Sequence, residues 1–259
     1  MATDVHCHLD LPDFDADRAD VIARAAAAGV DRILVPSSDP RDWGRVLALA
    51  AREPACSAVL GVHPWYAADL TEGELVGYLD VLASADVVGI GEIGLDHARE
   101  ADPARRDRQR DVLRRHLLLA IERDLPVQIH AVRAVPAVLA VVDEVGLPRA
   151  GAMFHLWGSS AELAMEAVKR GFYLSFGAMV GEGRAKKAIA AAAAIPLERM
   201  LLETDAPRPA TRGEPADLVQ IARAVATIRG CDPAEVWETC ARNADDLFPR
   251  CATASNRAC

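Results

Sequence analysis

The stretch Thr3-Asp-Val-His-Cys-His-Leu-Asp10, "TDVHCHLD", sets two histidines one residue apart in a run that reads as a β-strand. On a strand, residues i and i+2 point to the same face. His6 and His8 therefore aim their rings into one space, and Cys7 between them turns away into packing. Two imidazoles in one space share either a buried hydrogen-bonding task or a metal ion. Which of these holds depends on what the rest of the chain brings to the same place.

Outward from this stretch, short apolar runs alternate with longer amphipathic ones. Eight runs read as strands: Thr3–His8, Asp31–Pro36, Ser57–His63, Asp86–Glu92, Pro126–His130, Ala150–His155, Phe172–Phe176 and Arg199–Asp205. Between them lie helical stretches such as "DADRADVIARAAAAGV" and "ARRDRQRDVLRRHLLLAIERD", and Gly29, Gly146 and Gly171 stand where helices end. Strands alternating with helices imply a parallel sheet, and eight such units predict a single (β/α)8 TIM-type barrel. The length of 259 residues suits it, since such barrels run to about 250 residues. A doubly wound open sheet is the alternative, weakened because no glycine-rich phosphate fingerprint follows the first strand. The expected domain spans residues 1–248, with 249–259 as a flexible tail.

Composition excludes several classes. No apolar run nears the roughly 18 residues a membrane span needs. The first residues already read as a strand, not a leader, so a cytoplasmic protein is expected. Six cysteines without CxxC spacing read as free thiols. A net charge of −9 argues against a broad nucleic-acid surface but leaves room for a small site acting on a phosphodiester. The arginines of "ARRDRQRDVLRRH" are interleaved with Asp107 and Asp111 and read as a salt-bridged solvent face that includes His116.

In a barrel of this kind, active-site residues come from the C-terminal ends of the strands. Read in order, those ends carry His6 and His8, Ser37, His63, Glu92, His130, His155, Ser175 and Asp205, which takes in five of the seven histidines. Imidazoles and carboxylates gathered at low dielectric need a cation to balance them. Ligands without thiolate suit Zn²⁺ or Mn²⁺, and Mg²⁺ where oxygen dominates. His6, His8, Glu92, His130, His155 and Asp205 make a ligand set large enough for two ions sharing a carboxylate, as in two-metal hydrolases.

Six motifs in order, "DVHCHLD", "GVHPWYA", "GIGEIGLD", "LPVQIHA", "FHLW" and "LLETDAP", resemble the TatD family of metal-dependent deoxyribonucleases, within the amidohydrolase-type barrels. The resemblance runs from Asp4 to Phe248 and includes "RGEPADLVQIARAVATIRG" and "NADDLF". It implies that His6 and His8 bind a first ion, that Glu92 bridges, and that His130 and His155 complete a second site. It also implies that Asp205 serves beside the first ion as ligand or base, and that His63 contacts phosphate. Glu203 shares strand parity with Asp205 and is expected behind a ligand, as is Asp4, a buried salt bridge being the alternative for each.

Two departures from the family pattern fall on substrate-facing loops. "HLWGSS" replaces the usual polar run after the sixth-strand histidine, and Arg208 follows "TDAP" where an aromatic is usual. Trp65 and Tyr66 are candidates to stack a base, Arg208 and Arg212 to hold a phosphate, and His97 to reach the rim. The expected function is a two-metal DNase or 3′-5′ exonuclease acting on single strands or frayed ends, with no membrane and no obligate protein partner. The rival readings are an amidohydrolase or esterase using the same ions on a small molecule, and a barrel that binds metal or a partner without turnover.

Overall fold

The computed structural model describes residues 1–183, 185–208 and 211–250. Eight parallel strands form one sheet in sequence order: β1 (Ala2–Asp4), β2 (Val30–Pro36), β3 (Cys56–Leu60), β4 (Gly89–Asp96), β5 (Val127–Val132), β6 (Ala152–Phe154), β7 (Tyr173–Phe176) and β8 (Met200–Leu202). Helices α1 (Arg18–Ala27), α2 (Trp43–Arg52), α3 (Pro64–Ala67), α4 (Glu72–Ser84), α5 (Pro103–Arg123), α6 (Val135–Val145), α7 (Ala161–Lys169), α8 (Lys186–Ala194), α9 (Leu218–Arg229) and α10 (Pro233–Leu247) fill the connections. The strands are buried on both faces, which is why they read as nearly continuous apolar runs instead of alternating ones.

The sheet closes where β1 and β8 meet. Val5 N donates to Leu202 O, Asp205 N to His6 O and His8 N to Ala206 O, at 3.2, 2.9 and 2.8 Å. The seam is stapled by Asp4, whose carboxylate accepts from the backbone N–H of His6 and from both the N–H and the hydroxyl of Thr204. The architecture is the (β/α)8 barrel that the strand count predicts. No helix among the described residues is long and apolar enough to cross a membrane.

Glycine sets the closest approach in the barrel wall. A Cβ on Gly94 (φ +142°) would lie 2.0 Å from the carbonyl oxygen of His130, and one on Gly91 would lie 2.7 Å from Cβ of Gln128. β4 and β5 can therefore run close enough for Glu92 and His130 to meet only because "GIGEIGLD" carries glycine at these places.

Two expectations are corrected, the ends of strands and the place of His116. Paired strand β1 stops at Asp4, so His6 and His8 lie on its hydrogen-bonded continuation, and β4 runs four residues past Glu92, to Asp96. His116 is not on the solvent face. It is fully buried, accepting from Val62 N at Nε2 and facing Val112 O with Nδ1 at 2.8 Å. The arginines around it do form the expected surface pairs, such as Arg108 with Asp111 and Arg115 with Glu72. Of the expected tail, residues 251–259 lie outside the described residues, and Arg250 is tied to Asp31 and Asp245.

Candidate metal centre

A chain of fixed hydrogen-bond polarities determines what His6 offers. The carbonyl of Val5 can only accept, so the amide nitrogen of Gln128 faces it, at 2.8 Å. That turns Gln128 Oε1 toward His6 Nδ1, 3.0 Å away, and Nδ1 must carry the proton. His6 Nε2 is left with a lone pair, wholly buried and without a hydrogen-bond partner. It faces Oε2 of Glu92 at 3.3 Å and Oδ1 of Asp205 at 3.9 Å. His8 repeats the arrangement. Its Nδ1 faces the carbonyl of Pro36 at 3.2 Å, and its Nε2 lies 3.6 Å from Asp205 Oδ1 and 3.9 Å from Glu92 Oε2.

The other oxygen of Glu92 meets three more imidazoles. Oε1 lies 2.6 Å from His130 Nδ1, 3.2 Å from His63 Nε2 and 3.2 Å from His155 Nε2. Behind His155, Glu203 Oε1 stands 3.2 Å from Nδ1, while Glu203 Oε2 accepts from the Ser175 hydroxyl. Behind His130, Asp96 Oδ2 stands 3.2 Å from Nε2 and also accepts from the Trp65 indole at 2.8 Å. His63 differs from the rest. It caps α3, and its Nδ1 accepts from the backbone N–H of Trp65, so Nε2 carries the hydrogen. That hydrogen faces Glu92 Oε1 and can be donated to an anionic oxygen.

Electrostatics follow from this crowding. Burial pushes Glu92 toward the neutral acid, but the imidazoles of His155, His63 and His130 overcome it and hold the carboxyl well below its ordinary range. Burial opposes charge on His155 as well, yet Glu92 and Glu203 raise its pKa well above the usual value. Burial and the neighbouring His6 push His8 down to about 3. Asp205, raised chiefly by burial, is the most open carboxylate of the cluster, with a quarter of its side chain exposed. Its backbone is left-handed (φ 49°), a conformation Asp tolerates better than most residues, and one that turns the chain where β8 ends.

The donor set fits metal. The lone pairs of His6 and His8 converge on Glu92 and Asp205 with no donor between them, an arrangement stabilised by a cation. Candidate ligand atoms of His6, His8 and Asp205 lie within 4.8 Å of one another, as do those of His63, Glu92 and His130. Protons and cations compete for these atoms. Cys7 points away, its thiol toward Ala206 O, so the candidate ligands are nitrogen and oxygen alone.

Of the residues expected from sequence, His6, His8, His63, Glu92, His130, His155 and Asp205 are brought together, with Glu203 directly behind. Asp4 meets no cation among its described partners and holds the backbone at the seam. Arg208 sits between Glu182 and Asp217, and Arg212 pairs with Asp17. His97 is half-buried, its Nε2 without a hydrogen-bond partner and its carbonyl accepting from Arg106. Trp65 is exposed beside His63, and Tyr66 is half-buried. Gln128 and Asp96 were missed. Parity was the available signal, because Gln128 precedes His130 by two residues and Asp96 follows Glu92 by four.

Fold and rim together define an eight-stranded barrel with a histidine–carboxylate cluster, a candidate metal centre, at the C-terminal ends of its strands. The family model described as TatD related DNase matches residues 3–249. The chain belongs to the TatD family of metal-dependent hydrolases. It is 35% identical over 254 residues to the "Uncharacterized metal-dependent hydrolase YabD" of Bacillus subtilis, covering 96% of this chain and 99% of that protein. It is also 35% identical over 257 residues to the "3'-5' ssDNA/RNA exonuclease TatD" of Cronobacter sakazakii, covering 95% and 97%. Among solved structures, YjjV, a TatD homologue from Escherichia coli, superposes with a TM-score of 0.88 at 32% identity, covering 95% of this chain and 97% of that one.

Proposed function

We propose that this protein is a two-metal phosphodiesterase that removes nucleotides from the 3′ ends of single-stranded or frayed nucleic acid. The observation that carries the reading is the division of Glu92. One carboxylate oxygen faces His6 and His8, and the other faces His63, His130 and His155. A carboxylate so divided suits two cations, one on each side. His6, His8 and Asp205 would hold the first ion and His130 and His155 the second, with Glu92 between them. Divalent cations such as Mg²⁺, Mn²⁺ or Zn²⁺, when bound there, supply Lewis acidity, easing loss of a proton from water and offsetting charge on phosphate.

The chain's own groups do the rest. Asp205, open to the rim, orients the attacking water and accepts its proton at a carboxylate oxygen. His63 donates its Nε2 hydrogen to a non-bridging phosphate oxygen, exchanging Glu92 for substrate as partner. Glu203 and Gln128 hold His155 and His6 in the tautomers that leave Nε2 free. The net charge of −9 keeps recognition local to the rim, which favours a strand end over a duplex interior. Free thiols at Cys7, Cys56, Cys231 and Cys240 go with a cytoplasmic location.

The test is an activity matrix on chelated, reconstituted protein: Mg²⁺, Mn²⁺ and Zn²⁺ against single strands, duplexes and a panel of esters, lactones and amides. Stepwise nucleotide release from single strands is expected. Hydrolysis confined to the small molecules moves the reading to an esterase or amidohydrolase with the same ions.

A further inference from the structure

The arginines first expected to meet substrate, Arg208 and Arg212, already face carboxylates. Two others at the C-terminal rim have no carboxylate or carbonyl partner among the described residues. Arg99 lies three residues beyond Asp96, at the end of β4, and Arg133 lies three beyond His130, directly after β5. The two strand ends are neighbours. Asp96 pairs with Val132 in the sheet, and His97 N donates to the carbonyl of Val132 at 2.9 Å. Both arginines are exposed.

Neither position is casual. Asp96 Oδ1 accepts from the backbone N–H of Ala98 and of Arg99, at 3.0 and 2.9 Å, which fixes the turn carrying Arg99. The Arg99 guanidinium then stands over the indole of Trp65, 4.1 Å from the ring centroid. That indole is itself pinned through its N–H to Asp96 Oδ2, the oxygen that also faces the ligand candidate His130. A guanidinium stacked on an aromatic face has lost its freedom but not its donors, and its planar fork matches the oxygens of a phosphate. Arg133 is held in a left-handed backbone (φ 54°), a conformation uncommon for a residue other than glycine.

We propose that Arg99 and Arg133 form a phosphate-binding edge over the β4–β5 sector of the rim. They would hold backbone phosphates of the substrate strand next to the one at the metal cluster. Trp65 backs Arg99 and, through Asp96, ties the edge to His130. The inference rests on the phosphodiesterase reading. It predicts the side of the rim along which the strand leaves the site.

The experiment measures affinity for a short labelled oligothymidylate across a salt series, with Asp205→Asn as the parent so that the probe survives. Binding to a single strand loses affinity with salt at a slope of roughly 0.7 per phosphate neutralised. Arg99→Ala and Arg133→Ala are each expected to lower the slope by about 0.7, and the double variant by about 1.4. Arg99→Lys keeps the charge and the slope but loses the stack on Trp65, so it should bind more weakly at every salt concentration. Lys169→Ala, at the far end of α7, controls for the change in net charge and should leave the slope unmoved. A double variant with the slope and affinity of the Lys169→Ala control overturns the proposal while leaving the nuclease reading intact. A parent that does not bind the probe at all overturns both.

Discussion

Glu92 is the residue on which the site turns, because its two oxygens answer to different histidines. Glu92→Gln removes charge from both sides at once, so it should cost bound metal as well as rate. Asp205→Asn keeps the shape and loses basicity. Its turnover should fall by about 10²–10⁴-fold with at least one ion retained, and near wild-type turnover would show the base to be another group. Gln128 has a role of its own. With Gln128→Leu, His6 Nδ1 loses the acceptor that fixes its proton, and metal affinity should drop by about 10–100-fold in a metal titration. The histidines were legible in the sequence because each stands in or just after the C-terminal part of a mostly apolar run, where a polar group needs a reason. Gln128 and Asp96 were harder to see, because their partners, Val5 with His6 for one and His130 with Trp65 for the other, lie elsewhere in the chain.

At the level of elements, the sequence gives the eight strands and their order but misplaces their ends. Strand periodicity is weak where both faces are buried, so nothing in "GIGEIGLD" marks Glu92 as interior to β4 and Asp96 as its end. The glycines there make a sharp prediction. Gly94→Ala places a methyl against the His130 carbonyl, forcing β4 and β5 apart. It should destabilise by about 2 kcal/mol or more and lower metal content, read by thermal melting and elemental analysis. His116 was misread because arginines surround it, although Val112, Leu113, Leu117 and Ala120 share its buried face of α5. Burial lowers its pKa from 6.5 to about 4 in the fold. Because the unfolded chain takes up this proton first, the stability it contributes is full above pH 6.5 and is lost as the pH falls toward 4. That loss amounts to at most about 3 kcal/mol. His116→Gln should flatten this part of the stability–pH curve, and an unchanged curve would place the acid sensitivity elsewhere.

For the whole molecule, the barrel has a large apolar core that includes none of the candidate ligands. Chelation should therefore abolish hydrolysis and lower the melting temperature only moderately, whereas loss of cooperative unfolding on chelation would make the ions structural. The charge of −9 limits how nucleic acid is met. A total salt slope near 5 would mean an extended basic track, which the paired arginines of α5 do not offer. The two-metal reading is tested most directly by the number of cations the rim holds. That number is measured by elemental analysis of the reconstituted wild-type protein and of Glu92→Gln after excess metal is removed. Two ions per wild-type chain are expected, and one or none in the variant. A wild-type chain that retains one ion or none, or a Glu92→Gln chain that retains as many as wild type, contradicts the two-metal reading.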